Sequence, residues 1–471
     1  MRKTKIVCTI GPACTDEGLI TEMCKAGMNV ARLNFSHGSF EEHLERIKII
    51  KKVRKKLNMP IAILLDTKGP EYRIKTFKDG KVTLKEGDEF SFTTDDILGD
   101  EKHVSVNYKG LIGDLSVGDI ILLNNGLMSF KVKKLSKNEA LCDVIVGGVL
   151  SDKKSMSFPN KVLKQEYLSE QDKEDILFGL EHGVDFIACS FVSQKEDLRA
   201  VKAFLAEHNA ENEIELIAKI ENRTGVENIE EICDECSGIM IGRGDMGVEI
   251  PFEELPAIQK HIITKCRLLG KRVITATEML ESMIYNPRPT RAEISDVANA
   301  VYDGTSAIML SGETAAGKYP VLTVKTMARI AEHTEKNIHY AKRFMNSEFK
   351  IKNTVDAISH ATCSMAIDID AKGIVVCSLS GMTARMVSRF RSPVDILAIT
   401  TNENTYRKLA LSWGVTPVMC DKFNSTEVLF YTAKKLAEQT MSLKKDDLIV
   451  ITGGLTNGMS GNTNMIKIET I

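Results

Sequence analysis

Two apolar runs in the middle of the chain end abruptly in charge. Leu216-Ile217-Ala218-Lys219-Ile220-Glu221 closes on a lysine and a carboxylate, and Gly238-Ile239-Met240-Ile241-Gly242 runs into Arg243-Gly244-Asp245. A strand buried on both faces reads as a near-continuous apolar run. Charges at the carboxyl end of such a strand cost free energy unless they are paired or meet a ligand or metal. Glu221 and Asp245, arriving from neighbouring strands, offer hard oxygen donors that suit Mg2+ (or Mn2+). The plainer alternative is a structural ion pair between Lys219 and Asp245.

These side chains need a frame, and the rhythm of the chain supplies one. Strand-like runs at Lys5–Ile10, Met28–Phe35 and Ile61–Leu65 alternate with helical patterns, such as Phe40, Leu44, Ile47, Ile50 and Val53 at helical spacing. From Ser169, placed as a helix cap with Asp172 three residues on, the same rhythm resumes. Strands are expected at Val184–Phe191, Glu215–Glu221, Gly238–Arg243, Arg272–Thr277 and Ala307–Leu310. Eight βα units predict an α/β chain built on a TIM (β/α)8 barrel, with the site at the carboxyl ends of its strands. Residues 1–69 and 168–337 form this expected catalytic unit. Between them, residues 70–167 show short alternating segments and turn signals such as Asp79-Gly80, the pattern of a small inserted antiparallel β-barrel lid. Residues 338–471 read as a separate open α/β unit, with helices expected at Thr354–Ile369 and Thr383–Phe390 and strands at Gly373–Ser378, Asp395–Thr400 and Leu448–Thr452.

The barrel strand ends collect Arg32, Asn34, Ser36 and His37; Asp66, Thr67 and Lys68; Ser190; Lys219 and Glu221; Arg243, Gly244 and Asp245; Thr277 and Glu278; and Ser311, Gly312 and Glu313. Polar residues cap any one strand because chains turn there, but polar groups at most of the ends on one rim point to a site. Its chemistry is that of phosphate and metal: Arg32 and Arg73 as clamps for phosphoryl oxygens, Lys219 as a point charge, Glu221 and Asp245 for the cation. No Ser-His-Asp, Cys-His or Walker pattern competes with this reading.

Composition narrows the classes. A formal net charge of −2 gives no field to attract nucleic acid or an anionic membrane. No apolar run is long enough to span a bilayer, and the start Met1-Arg2-Lys3-Thr4-Lys5 has no signal-peptide core, so a cytoplasmic protein is expected. The 11 cysteines are scattered, many in apolar runs (Cys8, Cys189, Cys266, Cys377), which reads as reduced buried thiols. Cys233 and Cys236 form a single CxxC with no partner pair at zinc spacing, and are read as helix-face thiols.

Five segments taken together, Ala218-Lys219-Ile220-Glu221-Asn222, Ile241-Gly242-Arg243-Gly244-Asp245-Met246-Gly247, Asn34-Phe35-Ser36-His37-Gly38, Leu65-Asp66-Thr67-Lys68-Gly69-Pro70-Glu71 and Met309-Leu310-Ser311-Gly312-Glu313-Thr314-Ala315, closely resemble the pyruvate kinase family, and the resemblance spans the whole chain. It implies phosphoryl transfer from phosphoenolpyruvate to ADP, giving pyruvate and ATP, chemistry that is mostly positioning and electrostatics. By the same resemblance Glu221 and Asp245 hold magnesium. Lys219, Arg32, Arg73, Thr277, Ser311 and Glu313 serve catalysis, and Gly244, Asp245 and Thr277 join Arg32 and Lys219 on the substrate. Asn34, Ser36, Asp66 and Thr67 form a K+ site, and Glu71 marks potassium dependence. Pro12, His37 and Arg73 contact nucleotide.

In the C-terminal unit Ser378, Ser380, Gly381 and Thr383 resemble the segment that binds the phosphate of an effector; the plainer reading is a helix capped by Ser380 or Thr383. A second loop, from Gly453-Gly454 to Ser460-Gly461-Asn462-Thr463-Asn464, resembles the family's effector-covering loop. A homotetramer is implied, as is the lack of the further C-terminal domain that some bacterial members carry. Asn124-Asn125-Gly126 stands where many members have an acidic pair, Gln171 where a lysine is common beside the nucleotide, and Thr224 where an acidic or polar residue is usual. Two rival functions remain at this level: a magnesium-dependent aldolase or lyase acting on a pyruvate enolate, and a catalytically silent sugar-phosphate sensor.

Overall fold

The apolar runs assemble as eight parallel strands: β1 (Lys5–Thr9), β2 (Val30–Asn34), β3 (Ala62–Asp66), β4 (Phe186–Cys189), β5 (Glu215–Ile220), β6 (Gly238–Gly242), β7 (Arg272–Ala276) and β8 (Ala307–Leu310). The computed structural model describes residues 2–159, 161, 163–347, 349–423, 425–454 and 463–471. Neighbouring strands pair in the order β1-β8-β7-β6-β5-β4-β3-β2, and β2 returns to β1 to close the barrel. Side chains alternate along each strand. Val7, Leu64, Phe186, Ile217, Met240 and Ile274 fill the interior, while Ile6, Cys8, Ile63, Leu65, Ile187 and Cys189 join the core under the surrounding helices. This is the packed, non-porous interior that a parallel eight-stranded barrel demands.

Helix α1 (Phe40–Leu57) is started by a Ser39–Glu42 capping box and stopped by Asn58 in the left-handed region, at φ 51°. It buries Ile47, Ile50 and Val53 against the barrel, each contributing about 1.5–3 kcal/mol. Helix α2 (Glu170–Glu181) begins at the expected Ser169–Asp172 box. Strand β6 runs directly into the short helix α3 (Arg243–Glu249), which carries Asp245 to the mouth of the barrel.

Between β3 and β4 lies a six-stranded sheet with a two-stranded ribbon beside it, around a core of its own that includes Phe90, Phe92 and Phe130. Its pairing departs from the fully antiparallel expectation. Glu89–Thr93 and His103–Ser105 run parallel, and the loop between them is bridged to Phe77 at Gly99. The hairpin turn Asn124-Asn125-Gly126 has three consecutive left-handed residues, at φ 54°, 57° and 79°. Asparagine and glycine are the residues that accept this backbone at least cost.

The C-terminal unit is a five-stranded sheet in the order Val415–Met419, Ile396–Thr400, Gly373–Cys377, Leu448–Gly453, Met465–Thr470, the last strand antiparallel. The first and last of these, and the helix Thr426–Thr440, are additions to the sequence expectation. Helix α4 (Met382–Arg389) starts one residue before the expected Thr383. Ala410 and Leu411 of this unit join the interior cluster of the barrel and plug its amino-terminal end. All 11 cysteines are free thiols, ten of them buried. No helix among the described residues is long and apolar enough to cross a membrane.

Candidate active site

Asp66, the last residue of β3, is fully buried and is the hub of the barrel mouth. One of its oxygens accepts from Arg32 Nε at 2.6 Å; the other lies 3.1 Å from Lys219 Nζ and 3.2 Å from Ser190 Oγ. Lys219 Nζ donates to Ser190 Oγ at 2.6 Å and lies 3.1 Å from Glu221 Oε1. A continuous chain Arg32–Asp66–Lys219–Glu221 therefore crosses the ends of β2, β3 and β5. The alternative pairing of Lys219 with Asp245 is replaced by this one: Asp66 and Glu221 are the buried carboxylates within reach of the ammonium.

Charge is tuned accordingly. Burial alone would raise the Asp66 carboxyl, but Arg32 and Lys219 hold it below the usual range. Burial acts to lower the Lys219 ammonium, and Asp66 and Glu221 reverse that, so it stays protonated. Glu221 is pushed up to about 7, first by burial, with Lys219 opposing and Asp245 adding to the rise. Its second oxygen accepts from Phe191 N at 2.9 Å, and Phe191 adopts φ 56°. Glu221 and Asp245, the latter exposed at the mouth, line one cleft of about 280 Å3 between the barrel and the inserted sheet.

The end of β7 is strained. Thr277 and Glu278 both lie in the left-handed region, at φ 69° and 53°, an outlier for a β-branched threonine. Arg243 holds the bend by donating to the Ala276 and Thr277 carbonyls while its other arm pairs with Asp296 at 2.8 Å. Gly244 N donates to Thr277 Oγ1 at 3.0 Å, which brings Gly244 and Thr277 together. Ser311 Oγ is buried without a hydrogen-bond partner. The Glu313 carboxylate brackets the backbone instead, accepting from Ser311 N at 2.6 Å and Leu280 N at 3.1 Å.

The outer residues form a rim. Asn34 and Asp66 are register partners on β2 and β3, and Thr67 follows at the same edge. Ser36, Pro12 and His37 are exposed. Arg73 pairs with Glu71 and donates to the Lys153 carbonyl at 2.6 Å, and Glu71 also lies 3.3 Å from Lys68. Gln171 donates to Asp175 Oδ1 at 3.0 Å. Far from this rim, Gly381 is the N-cap of α4 at φ 76° with no side-chain cap, so neither Ser380 nor Thr383 caps the helix as the plainer reading required. Thr383 Oγ1 is 2.6 Å from Thr463 Oγ1, Ser378 sits at the end of its strand, and Ser460, Gly461 and Asn462 of the second loop lie outside the described residues.

A family described as "Pyruvate kinase, barrel domain" matches residues 1–324, and one described as "Pyruvate kinase, alpha/beta domain" matches residues 356–469. The chain belongs to the pyruvate kinase family. It is 45% identical over 476 residues to a pyruvate kinase of Clostridium acetobutylicum, spanning all of both chains. It is 47% identical to one of Staphylococcus epidermidis, covering all of this chain and 81% of that relative. Among solved structures, a pyruvate kinase from Cryptosporidium parvum superposes with a TM-score of 0.94 at 36% identity, over 100% of this chain and 96% of that one. The chain is accordingly an enzyme, a phosphotransferase of glycolysis.

Sequence reasoning missed two acidic residues of the cleft, Asp197, which accepts from Ser193 N and Gln194 N, and Glu249. Glu249 ends α3, and its carboxylate accepts from the backbone N–H of Phe158 in the inserted segment and of Arg223 beyond β5. Its neighbour Val248 faces Gly126 of the inserted hairpin. The helix that carries Asp245 is thus where the inserted sheet meets the barrel. The signal was a carboxylate four residues after Asp245 on the same short helix; its partners are main-chain groups, which no side-chain pattern reveals.

Proposed function

We propose that the Asp66–Lys219–Glu221 network is the centre of reversible phosphoryl transfer between phosphoenolpyruvate and ADP, with residues 1–69 and 168–337 catalytic, 70–167 a lid and 338–471 an effector unit. The observation that carries this reading is a largely buried ammonium held between two buried carboxylates, one of which shares its cleft with Asp245.

The donor set suits magnesium or manganese. Among the described residues no cluster of three or more acidic, His or Cys groups gathers to cage a metal, and Mg2+ is typically held by one or two carboxylates plus substrate oxygens and water. Glu221 and Asp245 would hold the cation, which when bound would offset charge on the substrate carboxylate and phosphate. Lys219 steadies charge on the transferring group and on the enolate oxygen. Arg32, fixed by Asp66, and Arg73 orient phosphoryl oxygens, and Pro12 and His37 border the nucleotide. Thr277, with Gly244 beside it, and Ser311 stand where a proton reaches the enol carbon, and Glu313 holds the Ser311 turn. Asn34, Ser36, Asp66 and Thr67 are oxygen donors at adjacent strand ends, a set that suits K+. Ser378, Ser380, Gly381 and Thr383 form the effector phosphate site, and the protein is a cytoplasmic homotetramer.

The test is a coupled assay of ADP-dependent pyruvate formation with and without Mg2+ and K+, across a panel of sugar phosphates and nucleotides. An aldolase or lyase would release pyruvate without ADP, a silent sensor would release none, and a saturation curve that no effector shifts would remove the effector site. Replacing K+ by tetramethylammonium is expected to lower turnover about a hundredfold, and Glu71→Lys to shrink that loss below tenfold; full activity of the parent without K+ would remove the K+ site.

A pH dependence also follows from Glu221. Its carboxyl is protonated below about 7, so a proton competes with the cation there. Half-saturating Mg2+ is expected to rise as pH falls below 7, by up to about tenfold per pH unit, and to level off above pH 8. An affinity flat from pH 6 to 8 by magnesium titration would contradict it.

A further inference from the structure

At the other end of the barrel, where β7 begins and α4 of the C-terminal unit packs against it, a cavity of about 10 Å3 is lined by Arg272, Arg385, Arg389, Arg391 and Ser412. Three of these guanidinium groups are deeply buried: Arg272 is 4% exposed, and Arg389 and Arg391 are 5% exposed. The ion pairs formed among the described residues give the four arginines two carboxylates. Glu215 serves both Arg272 and, at 3.5 Å, Arg385; Asp356 serves Arg389 at 3.2 Å. Arg391 has carbonyl and hydroxyl partners, Ser388 O at 2.8 Å and Ser306 Oγ at 3.0 Å. Two positive charges are therefore left without a counter-charge in a buried place, an arrangement that costs several kcal/mol unless something offsets it.

Three donors are also without a hydrogen-bond partner: the buried Nε atoms of Arg385 and Arg389, and Nη2 of Arg389, which has only its ion-pair contact with Asp356. The Ser412 hydroxyl, 1% exposed, accepts from Arg272 Nε at 3.1 Å, which leaves its own proton to donate. Burial lowers Arg272 to about 10 against the pull of its partner Glu215, and lowers Arg391, beside Arg267, to about 9. Every polar group in search of a partner here is a donor, and the space holds one atom-sized occupant. A water would satisfy two donors and bring no charge; a phosphate does not fit.

We propose that this cavity is a binding site for a single halide-sized inorganic anion, chloride in solution, which pins the start of β7 to α4. The probe is the full chain in potassium chloride against potassium gluconate at equal ionic strength and equal K+. Chloride is expected to raise Tm by about 3 °C, and Ser412→Ala and Arg389→Gln to abolish the increment; Ser412→Ala keeps all four arginines and so remains informative should Arg389→Gln not fold. In a bromide-soaked crystal an anomalous peak is expected between Arg385 and Arg389. Equal Tm in the two salts, an increment that survives in Ser412→Ala, or a bromide-soaked crystal without the peak would overturn the proposal. An increment given by inorganic phosphate and not by chloride would overturn it too, pointing instead to an oxyanion reaching in from the adjoining 710 Å3 cavity, which shares Lys271 and Arg385 with this one.

Discussion

Lys219→Met is expected to lower turnover about a thousandfold or more while phosphoenolpyruvate still binds, a loss of at least ~4 kcal/mol of transition-state stabilisation. Methionine keeps the apolar length of the side chain and removes only the ammonium. That ammonium lies 3.1 Å from both Asp66 and Glu221, so it is held in place before substrate arrives and costs no reorganisation when charge develops. Arg32 keeps its 2.6 Å bond to Asp66 in the variant, which is why ground-state binding should survive. Steady-state kinetics with an independent measure of phosphoenolpyruvate binding checks this. A fall of less than tenfold would take Lys219 out of the chemistry, and a loss of binding equal to the loss of turnover would make it a binding group only.

The second large effect is expected from Glu221→Gln. The amide keeps an oxygen for Phe191 N, now 2.9 Å from the carboxylate, but removes one of the two charges offered to the cation. Half-saturating Mg2+ should rise about a hundredfold, and activity at fixed Mg2+ should fall by about a thousandfold. Misfolding is separable by the sign of the stability change. Burial raises the Glu221 carboxyl to about 7, above its unfolded value, so in the metal-free protein the cost of ionising it builds up as pH rises towards 7 and is fully present at pH 8. Glutamine lifts that cost, and the metal-free variant should melt at or above the temperature of the parent at pH 8. A lower Tm together with lost activity would assign Glu221 a structural role instead.

Much of this was legible in the sequence, for a definite reason. A parallel strand buried on both faces must be apolar, so each charge at the end of β2, β3, β5 or β6 stands out against its run, and Arg32, Asp66, Lys219 and Glu221 are all visible there. Their partnerships are not visible, because Asp66 and Lys219 meet only when β3 and β5 flank β4 in the closed barrel. The strained bend at Thr277 is invisible for a similar reason: nothing in its neighbours announces a left-handed threonine, and Arg243, which clamps it, arrives from the strand before. In the C-terminal unit Pro417 masks an edge strand, a place in a sheet where proline is tolerated. Met465–Thr470 is masked by its half-exposed, polar composition as the opposite edge.

The proposed chemistry has phosphoenolpyruvate meeting a cation held by Glu221 and Asp245, beside Lys219. Its most direct test is the phosphorus-31 relaxation of phosphoenolpyruvate on the enzyme with Mn2+ in place of Mg2+. Strong paramagnetic relaxation is expected, and it should disappear in Glu221→Gln; a bound phosphoenolpyruvate whose phosphorus signal stays sharp in the presence of enzyme-bound Mn2+ would refute that arrangement.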